Sequence, residues 1–224
     1  MRYYPVGLDI RNRDCLVVGG GSVAARKAGT LLECRAVVTV ISPEFCEDLT
    51  VLEAENGVTL IRRPYASGDV EGRFLVIGAT NDETLNRKIS EDARRARILC
   101  NIADFPEACT FILPSIINRG DLILTISTSG KSPAFAKRLR KSLEKLFGEE
   151  YTEFLRLMGA VREKLLAAEH APEAHRPMFE ALIDKGLLEM VRDGKTEDIN
   201  RLLRDVLGEG FDYTSLMQSV NHGR

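Results

Sequence analysis

Three clusters of residues have the types and spacing to do chemistry. In the first, Gly19, Gly21 and Ala24 follow the short apolar run Leu16-Val17-Val18 and fit the pattern G-x-G-x-x-G/A. Each position has a physical job in dinucleotide binding. Gly19 allows a tight turn, Gly21 removes a side chain where a pyrophosphate approaches the backbone, and Ala24 lets the next helix lie close to a sheet. A helix starting at Ser22 offers free N–H groups and the positive end of its dipole to phosphates. The plain alternative is a glycine turn with no ligand, but the strand before it and the helix after it are the context that nucleotide binding requires.

The second cluster is Asn101-Ile102-Ala103-Asp104, with Asp104 just past an apolar segment. A carboxylate there could accept a proton while a hydride leaves for a nicotinamide, a general-base role. Asp104 and Glu107, with Pro106 between them, also have the spacing of a helix cap and its third residue, and both readings stand. The third cluster is Ser127-Thr128-Ser129-Gly130-Lys131-Ser132. It resembles the end of a phosphate loop, but Thr125 stands where the leading glycine should be and Pro133 follows at once, so it is not a Walker motif. Hydroxyls, a glycine and a lysine before a helix start still make a local anion site. Lys137, Lys141 and Lys145 continue beyond it at intervals of four, and the last two read as a solvated face.

The elements that must position these residues follow from periodicity. Leu16–Val18, Ala36–Ile41, Val58–Arg62, Phe74–Ala79 and Ile98–Asn101 are short and rich in branched apolar residues, as strands of a parallel sheet covered on both faces are. Tyr3–Ile10 reads as an edge strand. Helices are expected from Ser22 to about Cys34 and from Thr80 to about Ala96, the second opened by a capping box of Thr80 and Glu83. Ser42-Pro43-Glu44 ends the second strand, where a dinucleotide fold places an acidic residue for the ribose about 20 positions beyond the glycines. Glu44 is slightly late for this and Ser42 can share the role; Ser42 and Pro43 also fit the cap and first position of a helix. No arginine follows closely for a 2′-phosphate, which favours NAD over NADP. In an open parallel sheet the carboxyl ends of the strands gather Gly19–Ser22, Ser42, Thr80–Asp82 and Asn101–Asp104 into one crevice.

Beyond Phe111 the alternation of strand and helix stops. Phe111–Asn118 and Leu122–Thr128, joined at Arg119-Gly120-Asp121, read as a hairpin. Helices are expected at Pro133–Phe147, with Ser132 as cap, Glu150–Ala168, Met178–Arg192 and Thr196–Leu207, with a break from Ala171 to Pro177.

Composition excludes several classes. The chain has 224 residues, 44% hydrophobic and 29% charged, ordinary values for a soluble globular protein. A formal charge of -2 gives no reason to expect nucleic acid or an anionic membrane as partner. No apolar run approaches the roughly 20 residues that span a bilayer, and the polar start with Pro5 lacks a signal-peptide core, so a cytoplasmic protein is expected. Cys15, Cys34, Cys46, Cys100 and Cys109 form no C-x-x-C pair and read as small apolar core residues. His170, His175 and His222 have poor spacing for a metal, and no metal site is expected. A short-chain dehydrogenase would need Tyr-x-x-x-Lys. Tyr3, Tyr4, Tyr65, Tyr151 and Tyr213 are followed four residues on by Gly7, Leu8, Asp69, Leu155 and Met217.

Taken in order, Cys15–Lys27, Gly78-Ala79-Thr80-Asn81-Asp82, Cys100–Asp104, Phe111–Ser115 and Ser127–Pro133 resemble the precorrin-2 dehydrogenase family, which includes the N-terminal part of bifunctional sirohaem synthases. The likeness runs from about residue 3 to 160. It implies NAD-dependent oxidation of precorrin-2 to sirohydrochlorin, with ferrous iron inserted by some members, and a homodimer. Carried over by position, Ser22, Val23, Pro43 and Glu44 match cofactor-binding positions. Asp104 matches an aspartate implicated in dehydrogenation and, in bifunctional members, chelation. Thr128 with Ser129, Gly130 and Lys131 matches a region near the substrate cleft. The fold expected is an α/β Rossmann-type parallel-sheet domain over 1–112 that binds NAD. A small α+β dimerisation segment over 113–145 and an all-helical segment over 146–224 follow. With no methyltransferase-like domain before Arg224, precorrin-2 is expected from another protein. A non-catalytic NAD-sensing module would explain the glycines equally well, but not the segments around Asp104 and Lys131.

Overall fold

At the centre of the sheet, β1 (Asp14–Val18) has neighbours on both sides. Its alternate residues face opposite ways, as the pleat demands. Cys15 and Val17 pack into one core and Leu16 and Val18 into another, all at most 2% exposed. The structure is a computed structural model that describes residues 2–55, 57–167 and 172–221. It contains two compact units, Met1–Leu113 and Pro114–Arg224.

In the first unit β1 leads through α1 (Ser22–Glu33) to β2 (Val37–Ser42), and α2 (Glu47–Ala54) leads to β3 (Val58–Arg62). After a 3₁₀ turn at Ser67–Val70 come β4 (Leu75–Gly78), α3 (Glu83–Ala96) and β5 (Leu99–Ile102). All pairings are parallel and the order is β3-β2-β1-β4-β5. The chain therefore reverses its direction of travel across the sheet between β1 and β4, and ligands of such sheets sit beyond the carboxyl ends at that point. Ala24, Ala25 and Ala28 bring α1 close against one face, and Ile89 and Ala93 of α3 join the core on the other.

Three local expectations are corrected here. Tyr3–Ile10 forms no strand: Tyr4, Val6 and Leu8 are exposed, only Ile10 is buried, and the segment pairs with neither edge of the sheet. Ser42 and Pro43 do not start a helix; α2 begins at Glu47 with Cys46 at its cap. The cap of α3 is Asp82, whose carboxylate accepts from the backbone N–H of Thr84 and Leu85 at 2.8 and 3.1 Å. Thr80 instead exchanges hydrogen bonds with Asn86.

The second unit begins with an antiparallel hairpin, β6 (Ser115–Arg119) and β7 (Leu122–Ile126), followed by α4 (Pro133–Leu143) with Ser132 as cap. Helices α5 (Glu150–Ala167), α6 (Pro172–Asp184), α7 (Leu187–Arg192), α8 (Thr196–Leu207) and α9 (Tyr213–Asn221) close around Leu157, Leu182, Leu187 and Leu203, all fully buried. The expected break from 171 to 177 is not observed from Pro172 onward: α6 runs through Pro177. Proline there removes one backbone donor, and burial of Leu182 keeps the helix in place. The expected single helix Met178–Arg192 is instead divided at Gly186, whose φ of 82° suits glycine alone. Helix α9 was not expected; Asp212 accepts from Ser215 N–H at its start and Leu216 buries its face. Ala168, His170, Ala171 and His222 lie outside the described residues.

Candidate functional site

The glycine turn works through close backbone approach. Gly19 has φ +127°, and a Cβ there would stand 2.2 Å from the Ala79 carbonyl oxygen, so β1 and β4 can end side by side only with glycine. At Gly20 a Cβ would lie 1.7 Å from the Glu44 carbonyl oxygen and 2.7 Å from Ser42 Oγ. The Cys46 N–H donates to the Gly20 carbonyl at 2.7 Å and ties the segment after β2 across the turn. That packing lays Ser42, Pro43 and Glu44 along the crevice wall. Sequence reasoning gave Gly20 no role, because its constraint comes from backbone 24 residues away.

Gly21 is different. It caps α1 with extended backbone and no side-chain hydrogen bond, and a Cβ there would meet nothing within 4 Å. No protein atom demands glycine at 21. The open space above it is part of a cavity of about 700 Å³ lined by Gly19–Val23, Ser42–Cys46, Pro64, Tyr65 and Ala79–Asn81, among others. Unsatisfied N–H groups of the first helical turn, unscreened by any side chain, point toward anions placed there. Glu44 is an exposed carboxylate on the same wall. These residues fit a dinucleotide: a phosphate cradle at Gly21–Val23 and an acidic acceptor for ribose hydroxyls.

A second cavity, of about 450 Å³, shares Val23, Ala79, Thr80 and Asn81 with the first and adds Glu83, Asn86, Arg87, Ala103, Asp104 and Phe105. Asp104 is exposed into it and adopts φ 59°, unusual for a residue with a side chain. It does not cap a helix: the short 3₁₀ turn Pro106–Ala108 is preceded by Phe105. The Arg87 guanidinium lies 4.8 Å from the Phe105 ring centre. Lys27, on α1, is half-buried; burial and Arg26 lower its ammonium pKa, and the Asp104 carboxylate raises it, which puts the two groups within electrostatic reach.

The structure thus gathers Gly19, Gly21, Ser22, Val23, Ser42, Pro43, Glu44 and Thr80 around one cavity and Asp104 around the adjoining one. Asp82 and Asn101 line neither. Asp82 is engaged as the cap of α3, and Asn101, 7% exposed, donates from Nδ2 to the Phe111 carbonyl at 3.0 Å. Thr128, Ser129, Gly130 and Lys131 belong to the second unit. There the Thr128 hydroxyl and carbonyl oxygens accept from Ser132 and Lys131 N–H, and Ser129 and Gly130 have positive φ. Tyr65, Asn86, Arg87, Phe105 and Lys27 escaped sequence reasoning. Only Asn86, a polar residue in register with the apolar face of α3, left a signal.

Strand order, glycine turn and crevice together define a dinucleotide-binding α/β protein. Residues 6–115 match the family described as "Putative NAD(P)-binding", and residues 119–146 match the family described as sirohaem biosynthesis protein central. The two matches follow one another along the chain, and over both the chain is similar to sirohaem-biosynthesis proteins. It is 37% identical over 198 residues to the sirohaem synthase of Vesicomyosocius okutanii, covering 88% of this chain and 42% of that protein. It is 34% identical over 224 residues to that of Salmonella schwarzengrund, covering 100% and 49%. The chain therefore spans about half the length of the curated relatives it matches. Among solved structures, "SirC, precorrin-2 dehydrogenase" superposes with a TM-score of 0.71 at 24% identity, covering 98% of this chain and 100% of that one, a likeness of fold.

Proposed function

We propose that this protein oxidises precorrin-2 to sirohydrochlorin with NAD as hydride acceptor. The observation that carries this reading is the junction of the two cavities: the phosphate cradle and Asp104 share the wall Val23, Ala79, Thr80 and Asn81. A macrocycle bearing many carboxylates suits a cleft with N–H groups and cations at its rim.

The overall reaction removes one hydride and one proton from the substrate. NAD, when bound, supplies the hydride-accepting ring. Gly21, Ser22 and Val23 hold its phosphates by backbone N–H groups, and Glu44 with Ser42 holds the ribose beyond β2. The absence of a side chain at Gly21 leaves room for the pyrophosphate. Asp104 accepts the proton at its carboxylate oxygen. Thr128, Ser129, Gly130 and Lys131, in the second unit, are a separate cluster of hydroxyls, N–H groups and a cation with the chemistry to bind carboxylates.

The reading extends to ferrous iron as a second substrate, inserted into sirohydrochlorin with Asp104 as base for the pyrrole protons, and similarity to sirohaem synthases supports it. The reading also includes a cytoplasmic setting, which five free cysteines suit, and a homodimer formed through the second unit.

The test is anaerobic: protein, precorrin-2 and NAD, following NADH and sirohydrochlorin together, then adding ferrous iron. Equal yields of both products, and metal insertion faster than without protein, are expected. Asp104→Asn should keep NAD affinity and lower dehydrogenation by about 10²- to 10⁴-fold, the usual worth of a general base. No turnover by folded, NAD-binding protein would point instead to a sensing module, and full turnover by the variant would remove Asp104 from the reaction.

A further inference from the structure

Asp104 sits in the left-handed region, which residues with a side chain rarely adopt. Such a conformation persists only where the surroundings over-determine it. Two groups hold it: the Ala103 N–H donates to the Gly78 carbonyl at 2.8 Å, and the thiol of Cys109 bonds the backbone on either side of Asp104. Its sulfur accepts from the Ile102 N–H at 3.1 Å and lies 3.4 Å from the Ile102 carbonyl oxygen and 3.3 Å from that of Phe105, to either of which it can donate. Asn101 Nδ2 approaches it at 3.7 Å. Ile102 and Phe105 flank Asp104, so one side chain bonds the backbone on both sides of the strained turn. The backbone bond from Phe105 N–H to the Ile102 carbonyl, at 3.4 Å, is long and holds the turn weakly by itself. Burial raises the Cys109 pKa, which keeps the sulfur as a thiol able to donate as well as accept.

We propose that Cys109 is a positioning residue for the dehydrogenation: its thiol holds the turn that aims the Asp104 carboxylate into the cavity. This rests on Asp104 as proton acceptor. Cys109 itself lines neither cavity, and its sulfur reaches the second one only through the Phe105 carbonyl, so its effect travels through the backbone of residues 102–105.

Cys109→Val keeps the site filled, with one atom more, and removes the polar contacts, whereas Cys109→Ser keeps a donor and acceptor. Valine should lower kcat by about 10- to 100-fold, the cost of roughly an ångström of misplacement. NAD affinity should stay within about twofold, because the cradle lies on another loop. Serine should restore kcat to within about threefold of the parent, and hydrogen exchange of the Phe105 amide should be faster in the valine variant only. If valine does not fold, Cys109→Ala gives the same readings. Folded valine or alanine protein with kcat within about twofold of the parent would overturn the role of Cys109. Asp104→Asn assayed alongside separates the two ideas. Activity lost in the asparagine variant but kept in valine removes only Cys109, whereas activity kept in asparagine removes Asp104 itself.

Discussion

Two adjacent glycines answer to different partners, and substitutions separate them. Gly20 is held by the protein: a methyl group would collide with the backbone of Glu44. Gly20→Ala should therefore lower thermal stability by several kcal/mol, about 2–4, as steric conflict against backbone does. Gly21 is held by nothing in the chain, and its φ of -90° suits any residue. Gly21→Val should leave the melting temperature nearly unchanged and weaken NAD binding by at least about tenfold in calorimetry. Equal affinity in parent and variant would show that no pyrophosphate approaches residue 21. The glycine pattern was legible in the sequence because it is a local backbone requirement. The job of Gly20 was not, since a collision with residue 44 depends on how the chain returns after α1.

At the scale of elements, α3 is the one that links structure to site. Asp82 caps it, Asn86 pins Thr80 to the cavity wall, and Asp92 ties it to the segment before β4. Asp82→Ala should cost about 1 kcal/mol, the usual worth of a cap, measurable by denaturant unfolding. Asp92 is buried. Burial alone would raise its pKa, but hydrogen bonds from Lys88, Ser67 and Tyr65 outweigh that and hold it below the ordinary 3.8. A depressed carboxylate contributes stability that is present above the unfolded pKa and is lost as pH falls through the folded one. Asp92→Asn should therefore be less stable than the parent at neutral pH, with the difference shrinking as pH falls below 3.8 in parallel melts. A gap independent of pH would deny the linkage. The capping box expected at Thr80 and Glu83 shows why element ends are hard to read: Thr80 and Asp82 both have cap chemistry, and Thr80 bonds Asn86 in the next turn of α3 while Asp82 takes the cap.

For the whole molecule, the two units present different surfaces. In the hairpin of the second unit, Ile117 is buried, while Ile116 and Ile123 on the other face are 40% and 61% exposed. Two exposed isoleucines on that face, beside their cross-strand partners Thr125 and Asn118, support the proposed homodimer. Ile123→Lys should shift sedimentation from dimer to monomer at micromolar concentration without lowering helix content; an unchanged dimer would place the interface elsewhere. What the amino-acid sequence by itself determined was each local unit: five buried strands, the glycine turn, the helix after it and the hairpin. Hydrophobic period and glycine chemistry act within a few residues, so they can be read in order along the chain. Only the tertiary structure decided the strand order, the lay of Glu44 over Gly20, the approach of Lys27 to Asp104, and the hold of Cys109 on the Asp104 turn. The N-terminal segment read as a strand failed for the same reason. A strand exists only with a partner, and pairing, like burial of a charge beside a carboxylate, is a property of residues far apart in the chain.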